Sequence, residues 1–453
     1  PTQTLAISRA ALEHLSDAIQ FKTVAMRTPA ANADPFIGLH ALMARAFPRV
    51  QRELTKESVG DHSLLFTWRG KDARLKPMLL MAHMDVVPVD PTTESSWYHA
   101  PFSGEIADGY IWGRGAMDDK ASLMAILEAV ESLLTTNFQP ERTIYLAFGD
   151  DEEIGGAGGA AKIADLLSSR QVELEYILDE GLNIFTGVIA GLDRPAALIG
   201  IAEKGYLSLQ LSVETVAGHS STPTEHSAIG ILAGALQKLQ RAPFPARLNQ
   251  PTREMFEFLG PEMSFDKKLV LANLWLFSPF LEKTLAQSSQ TNALLRTTLA
   301  LTMFSAGIKE NVLPSKASAV INLRIAPGES TASVIQYVRD VIADRTVSIL
   351  PLAMALEPSA VSSIDSSSFA VLNKTIRQTY PTAVVAPALL VAGTDSRHYR
   401  NLTRNIFRFL PLILGPDDID RYHGINERIS LQNYERCIRF YAQLILNSNE
   451  LPR

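Results

Sequence analysis

Between Met78 and Glu153, short apolar runs give way repeatedly to dense clusters of histidine, carboxylate and glycine. Pro77-Met78-Leu79-Leu80 leads into Met81-Ala82-His83-Met84-Asp85, and Thr143-Ile144-Tyr145-Leu146-Ala147-Phe148 leads into Gly149-Asp150-Asp151-Glu152-Glu153-Ile154-Gly155-Gly156. Gly113-Arg114-Gly115-Ala116-Met117-Asp118-Asp119-Lys120 stands between them. Runs of four to six apolar residues bounded by glycine and acids suit strands buried on both faces, as in a parallel sheet. Ligands of such sheets bind beyond the carboxyl ends of the strands. One imidazole and several carboxylates are therefore expected on a single rim, which is the composition of a metal site.

The remaining sequence sets the scale. A chain of 453 residues exceeds one ordinary core, so two domains are expected. Hydrophobic residues at 46% and charged residues at 20% are globular proportions. The net charge of -6 argues against a nucleic-acid partner, which requires a basic footprint. Cys437 alone can form neither an internal disulfide framework nor a thiolate metal cage. No apolar run reaches membrane-spanning length. The chain opens on Pro1 rather than Met, which points towards a removed leader and export.

Residues 5–49 read as a helix, a loop over 27–35, and a second helix lined by Ile37, Leu39, Leu42, Met43 and Phe47. From Asp118, the positions Leu123, Ile126, Leu127, Val130, Leu133 and Leu134 mark one helical face. Glu173-Leu174-Glu175-Tyr176-Ile177-Leu178 is a strand that delivers Asp179-Glu180-Gly181 to the same rim. Near residue 202 the pattern changes. Leu207 to Val213 alternates with period two, as do Ala317 to Ile325 and Val347 to Leu350, the mark of a sheet with one wet face. Helical stretches lie between them, and 243–300 reads as helical. After Glu357-Pro358-Ser359 the α/β style returns, with Ala383 to Ala392 as a strand and a closing helix from Leu431. The expected fold is thus α/β, a mostly parallel sheet flanked by helices. Residues 1–201 and 356–453 build it, and 202–355 form an inserted α+β domain.

Two divalent cations held by nitrogen and oxygen need about four protein ligands each, one carboxylate shared between them, and an exchangeable water. The candidate ligands are His83, Asp118, Glu153, Asp179 and His423. A lone acid or histidine at a strand end is ordinarily a cap or turn residue; five at successive strand ends are not. Glu180 adjoins Asp179, so the pair offers two candidates for one place. Asp85, two residues past His83, suits a carboxylate that fixes the imidazole tautomer. The pair Glu152-Glu153 suits a split role, one carboxylate on metal and its neighbour free to move a proton.

These motifs, together with Gly218-His219-Ser220-Ser221 and Gly393-Thr394-Asp395, resemble the dizinc carboxypeptidase/aminoacylase family of metallopeptidases. The similarity covers nearly the whole chain and is nearest to the carboxypeptidase S and N-fatty-acyl-amino-acid hydrolase branch. The resemblance implies His83 and Asp179 on one zinc, Glu153 and His423 on the other, and Asp118 bridging them. It implies Glu152 as general acid/base, Asp85 as the orienting acid, and a cis peptide between Asp118 and Asp119. The insertion becomes a lid and homodimerisation domain, with His219 stabilising the oxyanion, commonly in a second copy's site. Asn311 and Arg324 would grip the substrate carboxylate, and Gly393 would line the substrate site. The implied reaction is hydrolysis of an N-acyl amino acid or short peptide with a free C-terminal carboxylate. An aminopeptidase has a similar metal site, but Arg324 would face its substrate with the wrong charge. An inactive binding protein would be expected to lack Glu152 or a ligand, and none is missing.

Overall fold

In a computed structural model, which describes residues 7–26 and 33–451, the apolar runs become adjacent strands. Strand Met78–His83 pairs in parallel with Ile144–Gly149 on one side and with Tyr176–Phe185 on the other. The full sheet has eight strands. Their order is Thr55–Val59, Ser63–Trp68, Ile144–Gly149, Met78–His83, Tyr176–Phe185, Ile406–Leu414, Ala196–Glu203, Val384–Leu390. Thr55–Val59 and Ser63–Trp68 run antiparallel at one edge. Ile406–Leu414 meets Ala196–Glu203 antiparallel, with Arg408 opposite Gly200.

Both faces of this sheet are covered, which is why its strands are continuously apolar. Met78, Leu80 and Ala82 join the core under helices Lys120–Thr135 and Leu431–Ser448, whereas Leu79 and Met81 join the core beneath helix Ala160–Ser169. Burying each such side chain contributes roughly 1.5–3 kcal/mol. Helix Lys120–Thr135 exceeds its expected single apolar face: twelve of its sixteen residues are buried. Helices Arg9–Gln20 and Leu431–Ser448 pack over its outer side, making it a core helix rather than a surface one.

A second, four-stranded sheet lies within residues 205–356, in the order Thr298–Ala306, Lys316–Ile325, Gly205–Glu214, Ser348–Leu356, antiparallel throughout. Leu207, Leu209, Ile321 and Leu323 pack against Leu232 and Leu236 of helix Ala228–Arg241 and Val334 and Val338 of helix Thr331–Ile342. Alternation sends Tyr206, Ser208, Asn322 and Arg324 to the other face.

Several expectations shift. Residues 27–32 of the expected loop lie outside the described residues, and Asp34 and Pro35 already belong to helix Ala33–Ala46. Phe36, not Ile37, is buried there; Ile37 is 58% exposed. Residues 250–295 are helical as read, but Thr298–Ala306 is an edge strand whose middle is exposed, so alternation gave no sign of it. The expected strand at 347–350 continues to Leu356.

One buried ion pair fastens the large sheet where its sixth and seventh strands meet. Arg408 Nε donates to Glu203 Oε2 at 3.1 Å, and the same oxygen accepts from the Thr394 amide at 3.0 Å, with both side chains almost fully enclosed. Removing one member leaves a buried charge without its counter-ion. We predict that Arg408→Met destabilises the fold by about 3–5 kcal/mol, read as a lower denaturant midpoint. A midpoint near the wild-type value would show that Glu203 is neutral or otherwise satisfied.

Candidate metal centre

Near the carboxyl ends of the parallel strands, two carboxylates come together around His83. Its Nδ1–H donates to the Asp85 carbonyl at 3.0 Å, which leaves Nε2 as the free donor atom. Nε2 lies 3.0 Å from Asp118 Oδ1 and 3.9 Å from Glu180 Oε1. The other oxygen of Asp118 lies 3.0 Å from His423 Nε2, which is also 3.3 Å from Glu153 Oε2. Two triads result, His83–Asp118–Glu180 and Asp118–Glu153–His423, each with its donor atoms within 4.8 Å of one another. Asp118 faces both with separate oxygens, as a bridging carboxylate would.

Glu180, rather than the expected Asp179, stands beside His83. The strand does not end at Leu178 but runs from Tyr176 to Phe185, so successive side chains leave it on opposite sides. The Asp179 carboxylate accepts from the Ser396 amide at 2.8 Å and from the Glu180 amide at 2.9 Å. It anchors the segment after Gly393 instead of facing His83.

The donor set suits two divalent cations. Three carboxylates meet two imidazoles in a site that is mostly buried apart from the exposed His423, and Glu153 Oε1 is buried with no hydrogen-bond partner. Asp118 and Glu153 push the His423 imidazole up to about 10 against the effect of burial. Burial acts to raise Asp118, yet the imidazoles of His423 and His83 hold it below the usual carboxylate range. Burial, reinforced by Asp118, pushes Glu180 well up. The cluster is thus crowded with negative charge, which cations relieve.

Asp85 does more than contact His83. Its Oδ1 accepts from the Glu152 amide at 3.1 Å and its Oδ2 from the Glu153 amide at 3.0 Å, so one carboxylate joins the histidine strand to the glutamate turn. Glu152 itself is half-buried. Burial pushes its carboxyl well up; Asp395, Glu153 and Asp85 add to this and His83 opposes it.

Two contributors escaped the sequence reading. Glu427, fully buried, accepts through Oε1 from the amides of Gly115, Met117 and Asp118 at 3.1, 2.8 and 3.2 Å. Its Oε2 takes the Arg114 guanidinium at 2.7 Å. Arg114 also donates to the carbonyls of His423 and Gly424, at 3.1 and 3.0 Å. His423 has φ of +57°, a conformation costly for a residue with a Cβ, and these bonds help hold it. Gly115, at φ +88°, allows the loop to pass Val86, whose Cγ1 lies 2.8 Å from where a Cβ would stand. The peptide between Asp118 and Asp119 is cis, as the resemblance implied.

The remaining expected residues lie elsewhere. His219 is exposed, on a short ribbon in which Gly218–His219 pairs with Val312–Leu313, and the Ser220 amide donates to the Asn311 carbonyl. Its Nδ1 lies 2.7 Å from Ser221 Oγ. His219 and Asn311 thus sit together but outside both triads. Arg324 stacks over Tyr206 at 4.9 Å and feels the charge of Arg397. Gly393 packs on that second guanidinium, with Arg397 Nη1 2.8 Å from the place of a Cβ.

A bridging carboxylate between two imidazole–carboxylate triads, at the rim of a mostly parallel sheet, defines a metallohydrolase of the dinuclear type. The sequence pattern of Peptidase family M20/M25/M40 matches residues 79–447, and the chain belongs to that family. It is 47% identical over 417 residues to a probable carboxypeptidase S-like 2 of Dictyostelium discoideum, covering 92% of this chain and 80% of the relative. It is 42% identical to an N-fatty-acyl-amino acid synthase/hydrolase of Danio rerio, covering 97% and 85%. Among solved structures, an M20 family metallo-carboxypeptidase from Sulfolobus solfataricus superposes with a TM-score of 0.71 at 20% identity, covering 98% of this chain and all of that one.

Because Glu427 holds the loop carrying Asp118, its charge should matter to metal retention. We predict that Glu427→Gln lowers thermal stability by about 1–3 kcal/mol and leaves less metal bound after dialysis. Undiminished metal content together with an unchanged Tm would show that the loop holds its shape without this carboxylate.

Proposed function

We propose that the chain hydrolyses the amide of N-acyl amino acids, or of short peptides, that bear a free carboxylate. The observation that carries this reading is the placing of Glu152, a half-buried carboxylate next to the triad member Glu153 and close enough to His83 and Glu180 to interact with their charges. Two divalent cations, zinc by this imidazole and carboxylate donor set, would supply Lewis acidity for the scissile carbonyl and acidify a water. His83, Asp118 and Glu180 would hold one and Asp118, Glu153 and His423 the other.

The chain supplies the proton traffic. Glu152 takes the proton of the attacking water and returns it to the leaving nitrogen. Its raised affinity for protons suits both halves of that task, and Asp85 fixes its backbone while steadying His83. Arg324 makes no ion pair among the described residues, which leaves its guanidinium for the substrate carboxylate. The same cation, with Arg397 and Lys204 in its surroundings, disfavours a substrate read by a free α-amine. The relatives' names, a carboxypeptidase S-like protein and a fatty-acyl amino acid hydrolase, support amide hydrolysis next to a carboxylate.

Glu152→Gln should retain its metal and lose roughly 10²–10⁴-fold in kcat. Near-normal turnover by the metal-loaded variant would remove Glu152 from this role. Arg324→Lys should weaken N-acyl amino acids by about 2–4 kcal/mol in transition-state binding, since an ammonium cannot reproduce a bidentate guanidinium. The comparison is kcat/KM on the acid and on its C-terminal amide. If the wild-type enzyme cleaves both equally, the carboxylate is not being read.

A further inference from the structure

Arg397 is a cation that nothing in its surroundings answers. It lies half-buried in the short helical turn Asp395–Tyr399, and its Nε is buried without a hydrogen-bond partner. Among the described residues its guanidinium makes neither an ion pair nor a side-chain hydrogen bond. A buried donor left unmet is uncommon in a folded protein and calls for an acceptor. Its neighbours on the turn are engaged elsewhere. Ser396 donates its amide to Asp179 at 2.8 Å, and His398 Nε2 lies 3.0 Å from the Gly155 carbonyl. Asp395 feels the charge of Arg397, but its carboxylate is turned to Gly149, with Oδ2 2.6 Å from the place of a Cβ there.

Two connections tie this turn to Arg324. The first runs through Glu203, whose Oε2 accepts from the Thr394 amide at 3.0 Å. A little further along the same chain, Tyr206 pairs with Arg324 across the second sheet and lies under its guanidinium. The second runs through Gly155, in the turn that carries Glu152 and Glu153. His398 meets the Gly155 carbonyl on one side, and the Met354 methyl lies 2.8 Å from the place of a Cβ on the other. Leu356, on the strand of Met354, pairs with Tyr206 and so belongs to the row of Arg324. Both arginines are thus tied to the turn of the active-site glutamates. The charge of Arg397 reaches Arg324 and, with burial, disfavours its positive form. Two guanidinium groups in each other's field, neither ion-paired, are stabilised by an anion that meets both.

We propose that Arg397 binds the substrate carboxylate together with Arg324, so that two guanidinium groups read one anion. The proposal rests on the amide-hydrolase reading given above. A carboxylate offers about four lone-pair sites on two oxygens and accepts from two guanidinium groups at once. Lys204 is not a third reader, because its Nζ is held by the carbonyls of Ala293 and Arg296 at 3.0 and 2.7 Å. Gly393 gives Arg397 its room, since a Cβ there would stand 2.8 Å from Nη1. Arg324 comes from the second sheet and Arg397 from the rim of the first, so the bound anion also joins the two. A C-terminal amide carries no charge and leaves the two cations repelling each other.

The experiment starts from N-acetyl-leucine, N-acetyl-phenylalanine and N-dodecanoyl-phenylalanine, and pairs whichever is cleaved best with its C-terminal amide. Metal-loaded wild type, Arg397→Lys, Arg397→Gln, Arg324→Gln and the double glutamine variant are assayed for kcat/KM on both compounds. Binding of the same pair is measured calorimetrically in the Glu152→Gln background. Either substitution at Arg397 should cut the preference for acid over amide by roughly tenfold or more, in binding as in turnover. The double variant should lose less on the acid than the product of the two single losses, because either change disables the same grip. Equal losses on acid and amide would make Arg397 a prop for the glutamate turn and overturn the proposal. So would a double loss equal to the product, which would place the two arginines on separate groups. Should Arg397→Gln fail to fold, Arg397→Lys decides alone. A preference for the acid that Arg324→Gln abolishes and Arg397→Lys leaves intact refutes only the role of Arg397. A wild type that cleaves none of the three compounds refutes the hydrolase reading, and the proposal with it.

Discussion

One buried carboxylate governs the shape of the metal-ligand loop. Glu427 accepts three backbone amides from Gly115 to Asp118 while balancing the Arg114 guanidinium, which in turn holds the carbonyls of His423 and Gly424. Buried amides and charges are costly unless satisfied, and here each satisfies another. The loop of Asp118 and the loop of His423 come from opposite ends of the sequence, so neither has a fixed geometry until the other arrives. Asp85 plays the corresponding part on the other side, joining the His83 strand to the Glu152–Glu153 turn. The candidate ligands rest on a frame of acids that do not themselves belong to either triad.

That frame explains how so many acids are tolerated in one place. Asp179 is spent on the Ser396 amide, Glu203 on Arg408 and the Thr394 amide, and Asp85 on the glutamate turn. Each of these carboxylates has its negative charge met by backbone dipoles or a guanidinium. Asp118, Glu153 and Glu180 are left to share the imidazoles, and one oxygen of Glu153 has no partner.

Much of this was legible in the sequence because the signals are local. Unbroken apolar runs ending in glycine and acids fixed the parallel strands, and period-two alternation marked the second sheet. The motifs around His83, Asp118 and Glu153 announced a metal site by residue type alone. What was missed depends on distant or graded information. Asp179 and Glu180 are adjacent, and choosing between them requires knowing that the strand continues to Phe185 and turns each side chain to a different face. Glu427 looks like any acid near a loop until its partners more than 300 residues away are placed. Strand Thr298–Ala306 carries its exposed side chains on an edge, where neither alternation nor burial leaves a clear trace.

The separation of Glu427 from the amides it holds, 309 to 312 residues, also orders events in time. A ribosome working at about 5–20 residues per second emits the Asp118 loop roughly 15–60 s before Glu427. Throughout that interval His83 and Asp118 are present in a chain whose ligand loop has no anchor. His423 emerges only just ahead of Glu427, so the second triad and the brace of the first reach the nascent protein almost together. The second triad is therefore complete only once residue 423 has been made, and the brace of the Asp118 loop only once Glu427 has followed.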